Sequence, residues 1–177
     1  MKTEIIEIKN FWMGVNVTAY PIKRKLNGWE YAYQTWKQRS LTIDYLLWFV
    51  RSGYYWTHLF ANDKITKDTF LSSQYICVDI GISDCEFGHF SSNLSLEPTF
   101  AYTSPKDENG NEYYKLFYCF DRPIMKYEYP EIYNDFMGKL GILPVGKRHA
   151  SNSMKMTHCG NSTVSYKDNY SGIIYKL

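Results

Sequence analysis

The sequence predicts an α+β fold: a mixed, largely antiparallel sheet flanked by helices, with an added N-terminal β-hairpin. Three observations lead there. Val15, Val17 and Ala19 alternate with polar residues before Asn27-Gly28, and Trp29, Tyr31 and Tyr33 alternate after it, the pattern of two strands joined by a tight turn. Residues 40–53, "SLTIDYLLWFVRSG", carry both a start and a stop signal for a helix. Further apolar, aromatic-rich runs at 75–80, 98–105 and 113–124 read as strands, with a helical segment after the last of them.

Taken in order, "TEIIEIK" at residues 3–9 predicts a first strand. The hairpin follows, and Pro21 confines its strand to an edge or marks a bulge, because proline cannot donate to a ladder. Lys23, Arg24 and Lys25 fall at its tip. In the helix, Ser40 is the expected N-cap, Asp44 lies in the first turn, and Ile43, Leu47 and Val50 share a face. Gly53 stands where a helix ends, and the helix is apolar nearly all round, which predicts deep burial. "TKDTF" at 66–70 predicts the start of another short helix. The strands at 98–105 and 113–124 enclose the polar turn "KDENGNE", with Asn109-Gly110 inside it. Ile132, Phe136 and Leu140 at four-residue spacing predict a helix over 129–142. The remaining C-terminal third reads as irregular, with a last strand at 173–175. One domain is expected over 1–177, comprising the N-terminal strand and hairpin (1–40) and a core (41–177).

With 177 residues, 45% hydrophobic and 18% aromatic, the chain can bury roughly two-thirds of its unfolded surface, so a disordered chain is excluded. No stretch approaches the ~20 apolar residues of a membrane span. The alternating start "MKTEIIEIKN" has no signal-peptide core, which makes a cytoplasmic location the expectation. The four cysteines lack metal-finger spacing and read as reduced, buried thiols. A net charge of +2 does not mark a nucleic-acid binder, but its distribution is informative. Lys23 to Lys25, Lys37 with Arg39, and Lys147 with Arg148 form basic clusters in an aromatic-rich chain. Phosphate contacts combined with aromatic stacking are how single strands of RNA or DNA are held. Solvated loops beside core tyrosines account for the same composition.

"YICVDI", with "YTSP" and "DRPI" downstream, brings a family into view. In that order and spacing, residues 50–162 resemble the archaeo-eukaryotic primase superfamily, in the form found in replication proteins of plasmids, phages and integrated elements. The resemblance implies a primase-like, RRM-like core and a two-metal nucleotidyl-transfer site, in which carboxylates hold paired Mg²⁺ or Mn²⁺ ions. Asp79 matches the first acidic position. Gly81 stands where the second carboxylate is expected, and Lys147, Arg148 and His149 occupy the region of the third. Lys115 matches a basic position on the central strand.

These departures count against template-directed synthesis. They leave Asp79, Lys115 and His149 as candidate catalytic residues for simpler chemistry such as metal-dependent RNA cleavage, and Asp79 with Asp84 or Glu86 as the candidate set for one metal ion. His158 is a further candidate. Against these stands an Asp79 that only caps a neighbouring backbone, and histidines that only pack. The expected function is binding or cleaving nucleic acid on behalf of a mobile element, as an anti-CRISPR-type inhibitor acting on guide RNA or the Cas nuclease–RNA complex. The alternatives are a primase-polymerase module and a non-catalytic partner-binding domain.

Overall fold

Strands form where aromatic and β-branched residues are concentrated. The computed structural model describes residues 3–4, 11–16, 36–61, 65–81, 94–106, 110, 113–140, 153–154, 157–159 and 170–177. In chain order the elements are β1 (Thr3–Glu4), β2 (Phe11–Asn16), β3 (Trp36–Leu41), α1 (Ile43–Arg51), β4 (Tyr55–Thr57), β5 (Leu59–Phe60) and β6 (Phe70–Gly81). They continue with β7 (Phe100–Thr103), β8 (Tyr113–Met125), α2 (Tyr129–Leu140), β9 (Thr157–Cys159) and β10 (Ile174–Tyr175). The fold is α+β, as expected.

Ten strands make two sheets among the described residues. The larger, six-stranded sheet runs β1-β10-β8-β6-β5, with β7 also paired to β8. Among these described pairs only β10–β8 is parallel, so the sheet is mixed and largely antiparallel. The smaller sheet runs β3-β2-β4-β9. Its antiparallel β2–β3 pair runs in register from Phe11↔Leu41 to Asn16↔Trp36, at the base of the expected N-terminal hairpin, whose predicted strand residues Val17, Ala19, Trp29, Tyr31 and Tyr33 lie outside the described residues. The hairpin is integrated rather than appended, since β2 also pairs with β4. Its tip, with Pro21, Lys23, Arg24, Lys25 and Asn27-Gly28, lies outside the described residues.

The strand β6 alternates its side chains between two cores, as a pleat with a period of two requires. Tyr75 and Cys77 face α1 and the smaller sheet, packing with Val50, Trp56, Phe100, Tyr102, Phe117 and Cys119. Ile76 and Val78 face α2, packing with Leu116, Tyr118, Phe120, Tyr133 and Phe136. The β6–β8 register shifts between Ser73 and Tyr75. Pro123 falls on the β8 side of that irregularity, where a missing N–H does the ladder no harm.

Four local expectations change. Ser40 does not cap the first helix, because it pairs with Trp12 as part of β3. Thr42 caps it, its Oγ1 accepting the Tyr45 N–H at 3.3 Å. Gly53 does terminate the helix, with φ at +77°. The helix is not buried all round: Tyr45 is 61% and Trp48 51% exposed. "TKDTF" is a turn, in which the Thr66 and Thr69 hydroxyls take each other's backbone N–H at 3.3 and 3.1 Å, a local alternative to helix that threonine offers readily. Finally, β4, β5 and β9 arise where no strand was expected. β4 and β5 show no alternation because this segment runs between the two cores, buried on both sides at Tyr55, Trp56, Thr57 and Phe60.

Candidate functional site

The apolar run of β6 ends on Asp79, and the ladder sets Asp79 directly opposite Lys115 of β8. Lys115 Nζ donates to both carboxylate oxygens, at 3.1 Å to Oδ1 and 3.0 Å to Oδ2. Both residues are buried, at 5% and 8% exposure. Burying either charge alone would be costly, so the sheet neutralises the two together. The Cys77 thiol, two residues earlier on the same face, donates to Oδ1 at 3.4 Å. On the other side of Lys115, β7 places Tyr102 opposite it, and the Tyr102 and Phe117 rings stack at 5.6 Å. The pair therefore sits at the edge of an aromatic wall, at the end of the sheet where β6 stops.

Among the described residues, this donor set holds one of the carboxylates that a two-metal centre needs. Of the expected carboxylates, the described residues supply Asp79, whose two oxygens already share one ammonium, while Gly81 closes β6 opposite Tyr113 with no side chain to offer. No group of three or more His, Cys, Asp or Glu side chains suited to a metal ion occurs among the described residues. Asp84, Glu86, Lys147, Arg148 and His149 lie outside them. Lys37 and Arg39 fall two residues apart on β3, opposite Val15 and Met13, and Arg39 is exposed.

A second polar cluster corresponds to none of the residues expected from the sequence. His58, in the buried link between β4 and β5, is 1% exposed. Its Nε2 donates to the Ser153 carbonyl at 3.0 Å, and its Nδ1 meets Ser73 Oγ at 2.7 Å. Burial lowers its pKa to about 4, so the ring is neutral at pH 7. With Nε2 carrying the proton, Nδ1 accepts from the Ser73 hydroxyl. That hydroxyl also lies 2.7 Å from the Tyr75 carbonyl, and its single proton cannot serve both acceptors at once. The Tyr129 hydroxyl bonds Ser153 Oγ at 2.8 Å, joining α2 to the same cluster. One signal for it exists in the sequence: a histidine inside "YYWTHLF", an otherwise apolar run. His158 is fully buried on β9, its ring 4.7 Å from Trp56 and 5.0 Å from Phe117.

The "DRPI" segment also has a structural use. Arg122 forms two hydrogen bonds with the Glu128 carboxylate, at 3.1 and 3.0 Å, and Glu128 accepts the Met125 N–H at 3.0 Å. The contacts brace the turn from β8 into α2. Neither Cys77 nor Cys119 is in a disulfide, and burial raises the Cys119 thiol to about 12.

No protein-family model matches the chain, and neither does any curated protein. Among solved structures, it is similar to the AEP domain of the primase-polymerase of cyanophage S-2L. That likeness has 12% identity and a TM-score of 0.42, covering 94% of this chain and 84% of the other. No described helix is long and apolar enough to cross a membrane.

Proposed function

We propose that this chain binds nucleic acid for a phage or other mobile element, on a primase-like scaffold whose metal chemistry has been replaced by an internal ion pair. The observation that carries the reading is the hold of Lys115 on both oxygens of Asp79. Two-metal transfer needs carboxylates open to bridge cations. Here the first acidic position is neutralised by the neighbouring strand, and the second is Gly81. The basic clusters at Lys23 to Lys25, Lys37 with Arg39, and Lys147 with Arg148 support the binding half of the reading. The expected partner is RNA or single-stranded DNA, held through phosphates.

Anisotropy of a labelled oligonucleotide tests this. Binding should weaken steeply as salt rises and should need no divalent metal, so it should persist in EDTA. Primer synthesis that depends on either metal and is abolished by Asp79→Ala would overturn the proposal in favour of a primase-polymerase module. A narrower form of the proposal takes guide RNA, free or in a Cas nuclease complex, as the target, with occlusion rather than cleavage as the means. It is supported by the basic clusters and by a carboxylate committed to Lys115. Incubation with a Cas nuclease and labelled guide RNA should leave the guide intact and reduce DNA cutting. Undiminished cutting would remove the narrower form alone.

A further inference from the structure

Helix α1 has an apolar face fit for a core, yet it holds two large rings outside. Ile43, Leu46, Leu47 and Val50 are buried, while the exposed positions along the helix are Asp44, Tyr45, Trp48 and Arg51. Tyr45 and Trp48 lie three residues apart, one turn on, with ring centroids 6.0 Å apart. Neither ring hangs freely. Trp48 sits edge-on to Phe49 at 5.2 Å and 5.9 Å from Tyr54, and Phe49 and Tyr54 are themselves in contact at 4.9 Å. Phe49 belongs to the core and Tyr54 packs against it, so the outer rings rest on an anchored aromatic base. Their positions are set before anything binds.

Charge surrounds the rings unevenly. Arg51 follows Trp48 by three residues on the same face, and exposed Arg39 lies on β3, which leads into α1 through Thr42. Asp44 occupies the opposite, N-terminal end. The exposed positions of α1 include no aliphatic residue. Stable protein contacts bury about 800 Å² per partner, more than two rings and an arginine present. Flat, half-open aromatic surfaces beside an arginine instead match bases and phosphates, and stacking on them is tolerant of sequence.

We infer that the outward face of α1 is a stacking platform for unpaired bases of a single-stranded nucleic acid. Tyr45 and Trp48 take the bases, and Arg51, in the last turn, takes a backbone phosphate at the end away from Asp44. The inference rests on the nucleic-acid-binding reading and names the surface responsible.

The test uses labelled oligo(dT), oligo(rU) and a duplex of equal length, with anisotropy read across a salt series. Wild-type protein should prefer the single strands to the duplex. Combined Tyr45→Ala and Trp48→Ala should weaken single-strand binding tenfold or more without changing the salt slope, whereas Trp48→Phe should retain most of it. Arg51→Gln should lower the slope by about one, as loss of a phosphate contact does. Because Tyr45 and Trp48 are exposed, an unchanged thermal midpoint would show that the fold survives. If the wild type binds and the double variant binds within twofold of it, the platform is wrong and the broader reading stands. If the wild type binds nothing at low salt, both fall. Loss of self-association as the only effect of the double variant would assign the face to a second copy of the chain and overturn the inference.

Discussion

Asp79 and Lys115 are the pair on which the functional reading turns, and each is intolerable to the core without the other. Removing one partner of a buried pair typically costs about 3–5 kcal/mol, while replacing both by apolar groups is often close to neutral. Lys115→Met should therefore lower the urea midpoint sharply, and Asp79→Leu combined with Lys115→Met should recover most of the loss. Recovery would identify the pair as a solved charge problem in the sheet, and equal damage in both variants would argue against that. Both residues were legible in the sequence as candidates, but their contact was not. It depends on a ladder register that pairs two residues 36 apart in the chain, and that register is displaced by the irregularity between Ser73 and Tyr75. No local pattern encodes that displacement. His58 makes a different prediction. An unfolded histidine gains a proton near pH 6.5, and the folded one resists it until about pH 4. Stability from His58 is thus complete above pH 6.5 and falls as pH drops through that window, by roughly 3 kcal/mol in all. His58→Gln should flatten the dependence of unfolding free energy on pH between those limits.

At the scale of elements, a long apolar run makes a strand legible, and the short strands are hidden. β6, β7 and β8 each carry apolar residues in numbers that only a sheet buried on both faces accommodates. β4 and β5 are buried on both sides too, but they are so short that their run looks like a linker. β9 is three residues long, and its partner β4 lies far earlier in the chain, so only tertiary pairing creates it. Helix starts show a similar limit. Ser40 and Thr42 are both good caps by residue type, and the choice between them falls to the β2–β3 ladder, which claims Ser40 as a strand residue. Thr42→Ala should accordingly cost about 1 kcal/mol in chemical denaturation, whereas Ser40→Ala should leave the start of the helix in place by circular dichroism. The exposed side of α1 is invisible to periodicity because tryptophan and tyrosine count as apolar in a pattern, whatever they face.

At the scale of the molecule, the two sheets share one core through Trp56, which belongs to the smaller sheet and packs on Tyr75 and Phe117 of the larger at 5.1 and 4.8 Å. The α+β class and the largely antiparallel larger sheet were legible. The division into two sheets was not, because it depends on the strand breaking at His58 and changing partners. Cooperative unfolding follows from this shared core. Tryptophan fluorescence and circular dichroism should report one common transition in urea, and separate transitions would show that the sheets are independent.

The outer part of the larger sheet has a kinetic consequence. β10 inserts between β1 and β8, pairing Thr3 with Tyr175 and Ile174 with Cys119. Residues 3–4 and 174–175 thus meet inside one sheet, and the β1–β10 ladder cannot form until residues 174–175 arrive. Loop closure over such separations slows folding. During synthesis, the edge of β8 that β10 later covers waits for its last neighbour, and any rival strand with the right pattern has that interval in which to take its place.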